Sequence, residues 1–122
     1  MTQKERRYDL EERTAVFGEK VIALCRKIKR NTVTDPLINQ LVRSGTSVGA
    51  NYMEANGASS KRDFVNKVFI CKKECQESKH WLRMLASGGN LEHEHELRDL
   101  WKEAQELTLI FQKIASSARK SV

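Results

Sequence analysis

One proline and six glycines in 122 residues leave the chain few places where a helix must break. The apolar–polar alternation that marks a strand is hard to find anywhere along it. The longest apolar runs are a few residues, far below the roughly 20 that a membrane helix needs. The opening MTQKERRYD lacks the apolar core of a secretion signal. Cysteine is scarce: Cys25, Cys71 and Cys75 form no CxxC pair. An odd number of thiols in a lysine-rich chain predicts a reduced, cytoplasmic setting. The length suits one domain over residues 1–122, large enough to bury roughly two-thirds of the surface its unfolded chain exposes.

The most informative shortage is local. Pro36 to Gly57 (PLINQLVRSGTSVGANYMEANG) carries two charges, Arg43 and Glu54, in a chain that is 31% charged. A typical stretch of that length would hold about seven by that proportion. Within it Ile38, Leu41, Gly45, Val48 and Tyr52 recur at steps of three and four, which is one face of a helix. The opposite face shows Arg43, Ser47, Ala50 and Glu54 where a surface helix normally shows Lys and Glu. A helix so poor in outward charge is expected to be covered on both sides, by its own core and by a second subunit. Self-assembly is therefore the leading functional expectation.

Periodicity predicts an all-α protein, an antiparallel up-down-up-down four-helix bundle, with helices at about 9–30, 36–57, 61–86 and 91–118. Helix one has Phe17, Val21, Leu24 and Ile28 as its inner stripe and closes on Arg26, Lys27, Lys29 and Arg30, which suits a C-terminus. Thr34 or Asp35 would cap helix two, with Pro36 at its first position. Helix three repeats Phe64, Val68, Cys71, Cys75, Ser78, Leu82 and Leu85, and ends at Gly88 and Gly89. Helix four repeats Leu97, Leu100, Ala104, Leu107, Phe111, Ile114 and Ala118. The first eight and last four residues are expected to be loose.

Metal chemistry is the obvious temptation in such a bundle. Di-iron proteins use two inward Glu-x-x-His motifs, and this chain contains Glu77-x-x-His80 and Glu92-x-x-His95. With Cys75 turned inward, about 100° per residue places Glu77 and His80 on the outside. His95 also falls outside, and only His93 lies on the inner line, at the first turn. No metal or other cofactor is expected, and the HEHE run reads as the acidic start of a helix. Cys71 and Cys75, one turn apart on the inner stripe, read as core. No Gly-rich phosphate loop follows a strand, and no Ser/His/Asp set can be assigned. An enzyme is not expected.

Two polar sets look purposeful. Arg43, Ser47, Asn51 and Glu54 climb the outer side of helix two. Ile70, Glu74 and Trp81 share a flank of helix three. Together they form the expected subunit interface. Arg43 and Glu54 stand about 16 Å apart along the axis, so each needs a partner on another helix or subunit.

The net charge of +6 is unevenly spread: residues 1–30 and 60–88 are each +4, while 31–59 and 89–122 are each −1. Arg26, Lys27, Lys29 and Arg30 on helix one, with Lys61, Lys72, Lys79 and Arg83 on one side of helix three, form the expected nucleic-acid-binding set. No aromatic platform interleaves with these bases, which argues against sequence-specific RNA readout by stacking.

RSGTSVGANYMEA (Arg43 to Ala55) and DFVNKVFICKKECQESKHWLRML (Asp63 to Leu85) resemble bacterial four-helix-bundle proteins of the 23S rRNA intervening-sequence protein family. The resemblance runs from Tyr8 to about Ile114. It implies an up-down bundle that assembles as a homopentamer around a central channel. Members are encoded within intervening sequences of ribosomal RNA genes. The chain is also similar to the accessory subunit of diversity-generating retroelements, a basic pentamer that binds nucleic acid and a reverse transcriptase. The family pattern maps onto Arg43, Ser44, Ser47, Asn51 and Glu54, then Phe64, Lys67, Glu74, Glu77 and Trp81. Cys71 and Cys75 stand where relatives show small apolar residues, and the resemblance supplies no catalytic residue.

These readings converge on a non-enzymatic, cytoplasmic homo-oligomer, a ring of five by the resemblance. Its basic surface would bind RNA or single-stranded DNA with low sequence selectivity. The alternative is a protein-binding scaffold that docks a nucleic-acid enzyme such as a reverse transcriptase, and a metal or redox bundle is a distant third. No membrane association is expected.

Overall fold

Apolar residues at steps of three and four give each segment one greasy face, and four such faces close on a common core. A computed structural model describes residues 3–89 and 91–120. Helix α1 spans Gln3–Lys27, α2 Thr34–Asn56, α3 Lys61–Ser87 and α4 Glu94–Lys120, with a 3-10 turn over Leu91–His93 leading into α4. Among the described residues there is no strand, and no helix is long and apolar enough to cross a membrane.

The expected stripes meet inside. Phe17, Val21 and Leu24 of α1, Leu41 and Val48 of α2, Val68, Cys71 and Leu82 of α3, and Leu107 and Phe111 of α4 are almost wholly buried. Each large side chain removed from water contributes about 1.5–3 kcal/mol, so this core dominates stability. On α3, Val65 is buried while Phe64 is only partly so, a small rotation from the expected stripe. Polar groups in the core are satisfied: Ser44 Oγ and Ser78 Oγ lie 2.9 Å apart between α2 and α3. Thr14 and Thr108 donate to carbonyls one turn back, both at 2.7 Å.

Helix ends differ from the expected ones for local reasons. Helix α1 begins within residues expected to be loose and stops at Lys27, short of Arg30. The Lys29 carbonyl instead accepts from Thr34 Oγ1 at 2.7 Å. Asn31 Oδ1 accepts the Val33 and Thr34 amides, both at 2.9 Å. Asn31, rather than Thr34 or Asp35, therefore satisfies the orphan donors at the start of α2, which begins two residues before Pro36. Ser60 caps α3 by accepting the Asp63 amide at 3.0 Å. Helix α4 is helical to Lys120, past the expected end, while residues 1, 2, 121 and 122 of the expected loose ends lie outside the described residues.

Packing is uneven around the bundle. Helix α3 packs broadly on α2 and α4, and α1 packs on α2, but α1 touches α4 only lightly. Arg13 clamps that seam, giving Glu103 two hydrogen bonds of 2.8 Å.

Candidate nucleic-acid interface

The eight expected basic residues do not form one patch. Arg26, Lys27, Lys29 and Arg30 are exposed at the end of α1 and in the turn after it. Two of them are already partnered: Lys27 Nζ lies 3.2 Å from Glu96, and Arg30 Nε lies 2.9 Å from Asp35. Lys61 opens α3 at the opposite end of that helix from Arg83. Lys72 and Lys79 are half-buried against α4, because a residue only about 40–60° from the core line of α3 meets the neighbouring helix before it meets water. Lys72 Nζ donates to Gln112 Oε1 at 2.6 Å, and Lys79 Nζ donates to Gln105 Oε1. Both partners are neutral amides rather than acids.

The α3–α4 seam holds what the wheel of α3 alone left out. Trp101 of α4 is 39% exposed, and Lys79 Nζ stands 4.7 Å from its ring centroid. Farther along, the Arg119 guanidinium stands 4.7 Å from the Phe69 ring, with Lys72 Nζ at 6.0 Å from the same ring. A shallow groove beside Trp101 is lined by Arg83 from α3 and by Arg98 and Lys102 from α4. The acid on that groove, Glu94, is engaged with Arg98 at 3.0 Å. Cations and aromatic rings thus alternate along one seam. The expectation that no ring interleaves with the bases fails here. One of the rings, Trp101, comes from a different helix.

The expected interface residues do gather, along the outer α2–α3 seam. Arg43 Nη1 lies 3.1 Å from Glu74 Oε2, and Arg43 Nη2 pairs with Glu77. The Glu77 carboxyl is held below its ordinary value by the hydrogen bond from Arg43, and the guanidinium is correspondingly raised. Glu54 Oε1 lies 3.5 Å from Lys67 Nζ. Arg43 and Glu54 therefore find partners on α3 of their own chain. Glu77 lies on the α2 flank of α3 rather than facing outward. Ser47 and Asn51 bond to carbonyls one turn back, and Trp81 Nε1 donates to Glu77 at 3.3 Å. Outside this seam α2 exposes Asn39, Thr46, Ala50 and Met53, the last at 67%. Ile70 is also exposed.

Among the described residues no three His, Cys, Asp or Glu side chains gather as metal ligands. His80 and His95 are exposed, and His93 lies within 4 Å of Glu92 and Glu96. All three cysteines are buried and unbridged. Burial pushes the Cys25 thiol up to about 11 and the Cys71 thiol up to about 12, and raises Cys75 as well. Buried in this way, they pack as small apolar groups.

Known proteins share this architecture. The family described as 23S rRNA-intervening sequence protein has a model that matches residues 6–115. A solved structure from Bacteroides thetaiotaomicron, a protein with unknown function from the S23 ribosomal protein family, is 28% identical to this chain. The likeness has a TM-score of 0.76 and covers 86% of this chain and 96% of that one. No curated protein matches the chain.

Proposed function

The chain belongs to the 23S rRNA-intervening sequence protein family, and from that premise we propose that it is a non-enzymatic, self-assembling bundle that binds RNA or single-stranded DNA. The observation that carries this reading is the α3–α4 seam, where Lys72, Lys79, Arg83, Arg98, Lys102 and Arg119 are set with Phe69 and Trp101. Charge lined up along a seam follows a phosphate backbone, and rings between the charges meet bases. Such contacts read backbone and stacking, so low sequence selectivity follows. The family's name makes ribosomal RNA the first nucleic acid to test.

Assembly belongs to the same reading. The outer strip of α2 presents Asn39, Thr46, Ala50 and Met53 with hardly a charge of its own, and Ile70 is exposed on α3. A second copy seated there would bury that strip and multiply the net charge of +6. We take the assembly to be a ring, five copies by the family resemblance. An up-down-up-down arrangement is supported by register. Arg13 meets Glu103 while Lys27 meets Glu96, and Arg43 meets Glu74 while Glu54 meets Lys67. Reduced, buried thiols suit a cytoplasmic setting.

The test is fluorescence anisotropy of labelled ribosomal RNA titrated with protein at rising salt. Binding at low salt should weaken steeply, with a log–log slope of about −0.7 for each single-strand phosphate contacted. Exchanging Lys72, Lys79 and Arg83 for Glu should abolish it. No binding at low salt would remove the reading.

A second reading, a scaffold that docks an enzyme, is favoured by one feature. The lightly packed α1–α4 seam leaves a groove floored by Phe17 and Leu100, where the acids Glu96, Asp99, Glu103 and Glu106 outnumber Lys20 and Lys102. Its acidic edge suits a basic amphipathic helix from a partner.

A further inference from the structure

We infer that Trp101 is a base-stacking platform, so that the protein holds single-stranded nucleic acid in preference to duplex of the same sequence. This rests on the nucleic-acid reading above and adds to it a strandedness and the residue that sets it.

Trp101 is a large ring left 39% exposed at the edge of a groove, on a bundle whose other tryptophan, Trp81, packs against the core. The side chains around it are the kind a nucleotide needs. Arg83, Arg98 and Lys102 line the same groove, and Lys79 Nζ stands over the ring at 4.7 Å. Glu94, the acid on the groove, is neutralised by Arg98 at 3.0 Å. A charged strip alone would attract any phosphate backbone, single or double. An exposed ring among the cations discriminates, because only an unpaired base can be splayed out to lie on it.

The contact over the ring does not block this use. An ammonium on an exposed aromatic face is a weaker contact than a stacked base. A base arriving on Trp101 can therefore displace Lys79, whose freed charge then meets the adjoining phosphate. Phe69 lies under Arg119 at 4.7 Å near Lys72. Lys72 and Lys79 are about 10 Å apart at 1.5 Å of rise per residue, so a strand laid along the seam meets both rings.

The test compares a labelled single-stranded RNA with its duplex, by anisotropy at one low salt concentration, for the wild type, Trp101→Ala and Trp101→Phe. A stacked base contributes about five- to 150-fold in affinity, so Trp101→Ala should weaken single-strand binding by a factor in that range. It should leave duplex binding unchanged, and Trp101→Phe should retain most of the single-strand affinity. Equal losses on both substrates, or no loss on the single strand, would overturn the inference while leaving nucleic-acid binding intact. A wild type that binds neither would overturn the broader reading together with it.

Discussion

Gly45 of α2 lies so close to Val21 of α1 that a β-carbon on it would stand 2.9 Å from a Val21 methyl. Val21 is fully buried and stiff at its own β-carbon, so it cannot swing aside. Alanine ordinarily favours a helix over glycine by about 1 kcal/mol. Here overpacking costs about 1–3 kcal/mol and wins. Gly45→Ala should therefore lower the melting temperature. Gly18→Ala is the control, since its β-carbon would meet Gly45 and Thr46 at an ordinary 3.5 Å. It should raise the melting temperature by a few degrees. Calorimetry of both variants checks the pair, and a stabilised Gly45→Ala would refute the close approach.

Acid stability should depend on the clamp between α1 and α4. Hydrogen bonds from Arg13 hold the Glu103 carboxyl below its ordinary 4.5, against a smaller opposing effect of burial. The folded state thus binds this proton only at lower pH than the unfolded state does. The pair's contribution is complete above about pH 5 and is lost as pH falls through the folded value. Both side chains are near 30% exposed, so the contribution is about 1 kcal/mol. Denaturant melts of Glu103→Gln should show that loss at pH 7 and converge with the wild type near pH 2.

Thiol chemistry should report the core. With Cys25, Cys71 and Cys75 buried and their thiols raised, a thiol-specific reagent at pH 8 should label none of them in the native protein. All three should react in urea. Rapid native labelling would show that the α3 stripe opens.

Helix count and core were legible because apolar spacing repeats cleanly through Val21, Val48, Cys71 and Leu107. What escaped lies between helices. Asn31 caps α2 from outside it, and no periodicity in α2 signals a cap three residues upstream. The partners of Arg43 and Glu54 are on α3, where the Glu74–Glu77 pair and Lys67 of opposite charge hinted at them. Trp101 was hidden for the same reason, since its place beside Lys79 belongs to two helices at once. A wheel drawn for one helix shows which residues leave the core but not what they meet.

The α2 strip makes a prediction that separates assembly from folding. Met53 and Ala50 are exposed in the single chain, so Met53→Glu or Ala50→Glu should change its stability by no more than about 0.5 kcal/mol. Each places a charge where a second copy is proposed to sit. Sedimentation of these variants should give monomers with unaltered circular dichroism. Variants that assemble like the wild type would move the interface elsewhere.

The measurement that decides most is the mass of the wild-type particle at micromolar concentration by light scattering. Five copies of a 14.0 kDa chain give about 70 kDa, a ring whose seams together present a surface far more basic than one chain can. A mass at that multiple supports a nearly uncharged α2 face buried against another copy. A particle of 14 kDa would contradict it, and with it the proposal that this protein works as an assembly.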